Sequence, residues 1–254
     1  MNCKEDRGQT GWRPVTYDLH LHSCLSPCGD EEMTPANIVG MAVVKELDVI
    51  ALTDHNTCKN CEAFLKVAEA YGVVALPGME LTTTEEVHVV CLFENLEDAM
   101  AFDAYVYEHL LDIQNEETIF GAQLIMNEDD EVTGKVDKLL INATDIDFDQ
   151  VAGLMEQFHG IMIPAHLDKS TTSLLSNLGF IPPDSTFGIA EIKDMKNLHR
   201  LQEMHPYLKE CRIISDSDAH YLPDIHEPTY TMLVPELSVS GVFAALKAAS
   251  KKKD

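Results

Sequence analysis

Residues 15–22 read VTYDLHLH, a run of β-branched and apolar residues that ends in two histidines. Runs of this kind, each ending in residues able to bind a metal ion, recur as DVIALTDH (48–55), GVVALPGME (72–80), EVHVVCLF (86–93), GIMIPAH (160–166), GIAEIKD (188–194) and CRIISDSDAH (211–220). Helical segments separate most of them. Strands that alternate with helices predict a parallel sheet, and about seven such units favour a barrel over an open sheet. The sequence therefore predicts an α/β, TIM-like barrel with its site at the carboxyl ends of the strands.

The predicted helices have recognisable starts and stops. Thr34 and Pro35 supply a hydroxyl cap and a first-turn proline, and Gly72 ends the helix that begins at Cys61. Further helices are predicted over 97–114, 148–158, 196–208 and 239–250. The alternation breaks between 115 and 147, where a turn at 127–130 predicts a hairpin. We therefore expect one domain over 1–254, with a helix-plus-hairpin insertion at about 97–158 that lies over or beside the site and sets substrate choice.

Charge and composition limit the partners. The 254 residues include 18 Lys and Arg against 43 Asp and Glu, a formal net charge of −25. This charge makes a nucleic-acid polymer an unlikely partner and disfavours anionic membranes. No apolar run approaches the about 20 residues of a membrane helix, and the polar start MNCKEDRGQTGWRP has no signal-peptide segment. Because seven cysteines, an odd number, are typical of reduced thiols, we expect a cytoplasmic protein.

His20 and His22 are the first candidate metal ligands. They are two residues apart on a strand, so both imidazoles point to the same face. Two such imidazoles bind one metal ion, or simply pair on a half-buried strand. The other strand ends favour metal binding, because they supply His55, Glu80, His88, His166, Asp218 and His220. This ligand set suits two to three divalent ions of zinc, manganese or iron, with a carboxylate such as Glu80 as the bridge.

Taken together, these motifs resemble those of a known family. The set is His20-Leu21-His22, Thr53-Asp54-His55, Pro77-Gly78-Met79-Glu80, His88, Pro164-Ala165-His166 and Ser217-Asp218-Ala219-His220. It is similar, over about residues 15–226, to the ordered motifs of the PHP (polymerase and histidinol phosphatase) superfamily. The resemblance implies a distorted (β/α)7 barrel, a trinuclear metal centre and hydrolysis of phosphoesters.

The resemblance also implies how the ligands divide among three ions. A first ion is implied at His20, His22, Glu80 and Asp218, a second at Glu80, His88 and His166, and a third at His55 and His220. The third ion takes one more ligand from the loop 23–30, where family members carry an aspartate or histidine. Asp30 is our first choice and Cys28 is the competing candidate.

Other polar residues have weaker assignments. Asp54 is expected to orient a neighbouring histidine or to accept a proton. Because arginine is scarce, Lys169 and Lys193 are the candidates for binding a substrate phosphate, although solvated lysines explain them equally well. The pairs Cys24–Cys28 and Cys58–Cys61 together match a zinc or iron–sulfur site, and Cys58–Cys61 alone matches a redox-sensitive disulfide. We favour four reduced cysteines.

These residues predict a hydrolase for a small phosphoester, either a phosphomonoester or a nucleotide. The expected mechanism is in-line attack by a metal-activated hydroxide. Asp218 or Asp54 is expected to accept a proton, or His220 to protonate the leaving oxygen. Three alternatives remain open: a 3′–5′ exonuclease, a metal- or redox-sensing regulatory module with vestigial activity, and a metallohydrolase that acts on amides.

Overall fold

The computed structural model describes residues 11–250. The strands in this range are β1 (Arg13–Leu21), β2 (Val49–Leu52), β3 (Val74–Thr82), β4 (His88–Leu92), β5 (Leu124–Met126), β6 (Val132–Lys135), β7 (Ile161–Pro164), β8 (Ile189–Glu191), β9 (Arg212–Ile214) and β10 (Thr231–Val234). The helices are α1 (Pro35–Val44), α2 (Cys61–Tyr71), α3 (Leu96–His109), α4 (Glu117–Phe120), α5 (Phe148–Gln157), α6 (Leu174–Asn177), α7 (Leu198–Met204) and α8 (Val239–Ser250). Short 3-10 helices span Met195–Asn197, Pro206–Lys209 and Leu222–Asp224.

Two sequence predictions involve segments outside this range. Residues 1–10, on which the expectation about a signal peptide largely rests, lie outside the described residues, as does the lysine-rich end at 251–254. Within 11–250, none of the helices has the length and apolar character needed to cross a membrane.

Six strands form one curled sheet in the order β10-β1-β2-β3-β4-β7. The pairs β1–β2 and β2–β3 are parallel, whereas β3–β4, β4–β7 and β1–β10 are antiparallel. The separate parallel pair β8–β9 lies between the ends of β7 and β1. There the amide of Leu167 donates to the Glu191 carbonyl at 2.9 Å, and the amide of His22 donates to the Ala219 carbonyl at 3.0 Å. The fold is therefore α/β with a curled half-barrel sheet.

The expectation of a parallel sheet is wrong around β4, and loop length explains why. Only the short segment 83–87 joins β3 to β4. A parallel crossover needs about a dozen or more residues, so the chain turns back and β4 runs antiparallel to β3. This reversal is useful for the site, because it brings His88, at the start of β4, opposite Thr82 at the end of β3.

The helix ends follow the predicted local signals. The side chain of Thr34 accepts a hydrogen bond from the amide of Asn37 at the start of α1. Gly72 ends α2 in the left-handed conformation, with φ of 74°. The predicted helix over 97–114 is shorter than expected, because α3 ends at His109 and an extended segment begins at Leu110.

Alternation along β1 positions the first two histidines. Val15, Tyr17 and Leu19 pack into an apolar cluster that includes residues of α8. The intervening side chains point to the opposite face of the strand, which places His20 on the face that carries the site. Burial of the apolar side chains therefore determines which face of β1 presents histidine.

The predicted hairpin is confirmed as the antiparallel pair β5–β6. The side chain of Asn127 accepts hydrogen bonds from the amides of Asp129 and Glu131 and closes the turn. The segment packs on the loop that follows β1, since Leu25 shares a small apolar cluster with Leu110, Val136 and Leu140. It therefore lies beside the strand ends that carry the candidate ligands. Its treatment as an insertion in a single domain stays a prediction.

Candidate metal centre

Glu80, near the end of β3, is the central residue of the site. It is fully buried, and imidazoles from four different strand ends surround its carboxylate. Its Oε1 lies 2.9 Å from Nδ1 of His88, 3.0 Å from Nε2 of His166 and 3.2 Å from Nε2 of His20. Its Oε2 lies 3.2 Å from Nε2 of His22 and 3.1 Å from Nδ1 of His55.

The ligand atoms form three overlapping clusters in the described part of the chain. The clusters are His20–His22–Glu80–Asp218, His55–Glu80–His88 and His22–His55–His220. Asp218 and His220 come from the segment after β9 and lie far from Glu80 in sequence, so folding brings them to the same centre. His166 contacts Glu80 but belongs to none of the three clusters.

The charged side chains of the site strongly shift one another's pKa values. Burial would raise the pKa of Glu80, but His88, His20 and His55 around it hold that pKa well below its ordinary value. Burial also opposes ionisation of Asp218, whose pKa is nevertheless lowered, chiefly by the neighbouring His20 and His22. Both carboxylates are therefore ionised at neutral pH and carry the negative charge that cation binding needs.

Several ligand atoms lack hydrogen-bond partners although they are fully enclosed. They are Nε2 of His20, Nε2 of His22, Nδ1 of His55, Oε2 of Glu80 and Nδ1 of His166. Leaving a buried polar atom unpaired costs about 1–3 kcal/mol, so a cluster of such atoms calls for a compensating partner. Imidazole nitrogens and carboxylate oxygens that converge in this way fit divalent cations such as zinc, manganese or iron.

Two ligand positions have unusual backbone conformations. His166 has φ of 29° and Asp218 has φ of 51°, values that residues other than glycine rarely adopt. Such conformations cost free energy, and they persist where the surrounding structure holds a functional side chain in place.

Two lysines lie at the edge of the centre. Nζ of Lys169 is 2.6 Å from Oδ2 of Asp218, and Nζ of Lys193 is 3.5 Å from the same oxygen. Both side chains are partly exposed, whereas Asp218 is buried. The structure thus brings both predicted substrate residues to the solvent side of the ligand cluster.

The family relationship is clear from the sequence match. The profile of the PHP domain matches residues 18–169, more than half of the chain. This chain belongs to the PHP domain family. The matched range includes the motifs from His20 to His166 and ends before Asp218 and His220, which the structure nevertheless places in the same centre.

Curated relatives share part of the PHP domain. An uncharacterized protein of Methanocaldococcus jannaschii is 35% identical over 86 residues, covering 31% of this chain and 50% of the relative. A 5′-3′ exoribonuclease of Haemophilus influenzae is 33% identical over 79 residues, covering 30% of this chain and 28% of the relative. The matched region thus spans half or less of each of these relatives.

Solved structures share the fold over nearly the whole chain. The lesion-specific endonuclease Q of Pyrococcus furiosus superimposes with a TM-score of 0.64 at 17% identity, covering 95% of this chain and 57% of that one. A candidate metal-dependent phosphoesterase of Bifidobacterium adolescentis gives a TM-score of 0.57 at 16% identity, covering 92% and 96%. At this identity the likeness concerns the fold alone. The structural likeness therefore agrees with the PHP family assignment at the level of the fold.

A layer of hydrogen bonds around the PHP ligands orients them. Oε2 of Glu191 lies 2.8 Å from Nδ1 of His20, and Oε1 of Glu191 accepts from the amide of His166 at 3.2 Å. Such outer carboxylates fix the orientation and tautomer of a ligating imidazole. The sequence analysis did not assign a role to Glu191, although its position at the end of β8 is the signal shared by the predicted ligands.

Asp54 belongs to this outer layer. Its carboxylate accepts from the amide and hydroxyl of Ser23, each at 2.6 Å, and from the hydroxyl of Ser26 at 2.7 Å. The Ser26 hydroxyl in turn lies 3.1 Å from Nδ1 of His22. Asp54 is therefore connected to His22 through Ser26, and its orienting role stays a prediction. Its predicted role as a proton acceptor stays a prediction.

His220 lies at the mouth of the site, in the cluster with His22 and His55. Its Nδ1 lies 3.0 Å from the carbonyl of Asp218. Burial and the neighbouring His22 lower the pKa of His220 to about 3, so its imidazole is neutral at pH 7. A neutral imidazole is the form that binds metal. Proton donation by His220 to the leaving oxygen stays a prediction.

The two candidates for the loop ligand are placed differently. The carboxylate of Asp30 accepts from the amide of Glu32 at 2.9 Å, and Asp30 is in none of the three clusters. Cys28 is also outside these clusters, but its thiol makes a hydrogen bond with the imidazole of His55, which belongs to two of them. The assignment of Asp30 stays a prediction, and the contact made by Cys28 favours the competing candidate.

The other cysteines of the proposed thiolate pairs are core residues. The thiols of Cys58 and Cys61 both point toward the carbonyl of Gly78, at 3.1 Å and 3.6 Å. Burial and nearby Asp54 raise the pKa of Cys24 to about 12, so it stays protonated. Among the described residues, none of the metal-ligand clusters contains a cysteine. This arrangement fits the preferred interpretation of reduced cysteines.

Proposed function

We propose that this PHP-family chain hydrolyses a small phosphoester, a phosphomonoester or a nucleotide, at a centre of two to three divalent ions. The observation that carries the proposal is Glu80, whose carboxylate meets five imidazoles while two lysines reach the adjacent Asp218. The clustered ligands would hold the cations, and the lysines would face the substrate.

The cations and the protein have separate tasks in this proposal. When bound, the ions would polarise the phosphoryl group and lower the pKa of water so that it attacks at neutral pH. Lys169 and Lys193 bind the phosphoryl oxygens, because their ammonium groups lie on the solvent side of the site. Glu191 and Asp54 keep His20 and His22 in their ligating orientations.

A groove beside the centre offers space for the rest of the substrate. It has a volume of about 400 Å³ and is lined by residues that include Lys169, Ser170, Ser176, Arg200 and His205. This volume falls within the range of ligand-binding sites, about 300–1,000 Å³. Because Lys169 both lines the groove and contacts Asp218, a substrate held at the lysine extends naturally into the groove.

A nucleic-acid end is the second candidate substrate. The relatives named above include an exoribonuclease and an endonuclease, so a nucleic-acid substrate is compatible with the family. The net charge of −25 opposes broad contacts with a polymer, but it does not oppose a terminal nucleotide held by Lys169 and Arg200. An exonuclease that engages only the last nucleotides meets both conditions.

We further propose that the protein works in the cytoplasm as an enzyme and not as a vestigial sensor. Five described cysteines are free thiols, which fits a reducing compartment: Cys24, Cys28, Cys58, Cys61 and Cys91. The buried carboxylates and imidazoles form complete ligand clusters, which favours retained chemistry over a decayed site.

The test combines metal analysis with turnover. Purified protein is expected to hold two to three equivalents of zinc, manganese or iron, and to release phosphate or nucleotides from phosphomonoesters, nucleotides or short end-labelled oligonucleotides. Glu80→Gln is expected to lose both metal and activity, whereas Glu69→Gln, an exposed control on α2, keeps both. Full activity in Glu80→Gln would overturn the proposal, and bound iron with sulfide but no turnover would favour the sensor.

A further inference from the structure

The loop after β1 brings Cys28 to the His22–His55–His220 cluster. One end of the loop is tied down by Ser26, whose hydroxyl accepts from the amide of His55 at 3.1 Å. The other end is tied down by Asp30, whose amide donates to the carbonyl of His220 at 2.9 Å. Cys28 lies between these two anchors, so the backbone on either side of it is bound to residues of the cluster.

Gly29 explains why the loop is so tightly closed. A Cβ atom at this position would lie 2.2 Å from the carbonyl oxygen of Ser23, a distance that no side chain tolerates. The amide of Gly29 also donates to the carbonyl of Ser26 at 2.8 Å. The close approach of the backbone therefore gives Cys28 a defined position beside the cluster.

The side-chain environment distinguishes Cys28 from Asp30 and from the other described cysteines. Its thiol contacts the imidazole of His55, whereas the carboxylate of Asp30 is engaged by the amide of Glu32. Cys28 is exposed, while Cys24, Cys58, Cys61 and Cys91 are buried in the protein. An exposed thiol next to a ligand cluster is accessible to an incoming metal ion.

The histidines of the cluster supply an independent sign of a missing partner. His22 is fully buried and His55 is 3% exposed. Among the described residues, Nε2 of His22 and Nδ1 of His55 make no hydrogen bond, although they lie 3.2 Å and 3.1 Å from Oε2 of Glu80. The hydrogen bond between Cys28 and His55 adds a sulfur to this group of nitrogens, and nitrogen and sulfur together form the donor set of a mixed metal site.

We propose that Cys28 is a thiolate ligand of the third ion, together with His55 and His220 and beside His22. The proposal rests on the metal centre proposed above and makes this part of it specific to the chain. On binding, the thiol releases one proton to solvent and its sulfur takes one coordination position. Thiolate is a soft ligand, so this position is expected to select zinc over manganese.

The first experiment uses full-length protein loaded with Co²⁺. Thiolate bound to Co²⁺ gives a charge-transfer absorption in the near ultraviolet, which imidazole and carboxylate ligands do not give. We expect the band of the parent protein to match one thiolate per molecule, to vanish in Cys28→Ser and to persist in Cys24→Ser. A band of unchanged intensity in Cys28→Ser would overturn the proposal.

The second experiment measures access to the thiol. Iodoacetamide is expected to alkylate Cys28 at least tenfold faster in chelator-treated protein than in zinc-loaded protein, as followed by peptide mass spectrometry. Equal rates would show that the sulfur is not a ligand. In Asp30→Asn, the charge-transfer band and metal content are expected to be unchanged, and loss of one ion from this variant would assign the position to Asp30 instead.

The outcomes separate the two proposals. If the parent protein binds no divalent ion at all, the proposed function fails together with the cysteine ligand. If the ions bind and phosphoesters are cleaved but the thiolate band is missing, the proposed function stands and the role of Cys28 is overturned.

Discussion

At the scale of single residues, the site depends on carboxylates that do not all have the same task. Glu80 and Asp218 lie within the ligand clusters, whereas Glu191 contacts His20 from outside and Asp54 reaches His22 only through Ser26. Burial explains why each carboxylate has a defined set of contacts, because an ionised carboxylate in the interior needs charged or hydrogen-bonding partners.

Replacing Glu191 with Gln tests the outer layer directly. The amide cannot hold Nδ1 of His20 as strongly as the carboxylate does at 2.8 Å, so metal affinity is expected to fall about 10–100-fold. Competition with a chromophoric chelator measures the affinity. Unchanged affinity, equal to that of the exposed control Glu69→Gln, would show that Glu191 has no orienting role.

Replacing Lys169 with Met tests the proposed phosphate contact. The ammonium group 2.6 Å from Asp218 is lost, and kcat/KM for a phosphomonoester is expected to fall about 10²–10³-fold, as for other charge-stabilising donors. Lys196→Met is the matched control, because Lys196 is exposed on the nearby 3-10 helix. Equal activity of the two variants would contradict the assignment. Metal content measured in parallel separates loss of substrate binding from loss of ions.

At the scale of elements, strands β3 and β4 pack so closely that only glycine fits at position 78. A Cβ there would lie 2.9 Å from the carbonyl of Cys91 and 2.8 Å from a methyl of Leu92. This close approach aligns the two strands that carry Glu80 and His88.

The substitution Gly78→Ala is therefore expected to destabilise the protein by about 1–3 kcal/mol through overpacking. Gly153→Ala is the control with the opposite sign. Nothing lies within 4 Å of its Cβ on α5, and helix propensity predicts stabilisation by about 0.5–1 kcal/mol. Chemical denaturation of the two variants measures both effects. A neutral Gly78→Ala would show that β3 and β4 can separate without cost.

Asp168 joins two loops near the site and gives a pH-dependent prediction. Its carboxylate accepts from the amides of Lys193 and Asp194 and from the side chain of Asn197. Burial alone would raise the pKa of Asp168, but these hydrogen bonds lower it overall. Because the folded-state pKa lies below the unfolded one, the carboxylate stabilises the protein above the unfolded pKa and loses this effect as pH falls through the folded pKa.

We expect Asp168→Ala to cost about 1–2 kcal/mol at pH 7, since the partly exposed site weakens each hydrogen bond. The difference from the parent protein is expected to shrink as the pH falls below about 4, the unfolded pKa of aspartate. Urea denaturation at several pH values measures it. A difference that stays constant with pH would contradict the charged role of Asp168.

At the scale of the whole molecule, the acidic surface and the cationic edge of the site have opposite effects on substrates. The chain carries −25, whereas Lys169 and Arg200 line the groove next to the ligand cluster. A small anion meets mainly the local cations, but an extended polyanion also meets the acidic surroundings.

Salt is therefore expected to have an unusual effect on a long oligonucleotide. Between about 50 and 200 mM salt, the KM for this substrate is expected to stay constant or to fall, because salt screens the repulsion between the oligonucleotide and the acidic protein surface. A protein that binds nucleic acid through many phosphate contacts behaves differently, since its affinity falls steeply over the same range. Steady-state kinetics with a long oligonucleotide and with a mononucleotide give the comparison. A KM for the oligonucleotide that rises steeply with salt would indicate broad cationic contacts.

The sequence by itself determined the local features and the inventory of the site. Alternation along β1 predicted that His20 and His22 share a face, and Thr34, Gly72 and the turn at 127–130 predicted element ends that the structure confirms. These signals are local, because they depend on side-chain period, capping and turn chemistry within a few residues. The motifs also identified the family, since their order along the chain is specific even though each is short.

Only the tertiary structure decided how these pieces act together. The antiparallel course of β4, the contact of Glu191 with His20 and the position of Cys28 beside His55 all join residues that local patterns do not connect. The direction of a strand depends on the length of the loop before it and on how the sheet closes. The residues that contact the ligands from outside are set by burial, because a buried charged group needs a nearby partner wherever the folded chain supplies one. Local sequence patterns therefore predicted the candidate metal ligands, and the packing of the folded chain decided which side chains surround those ligands.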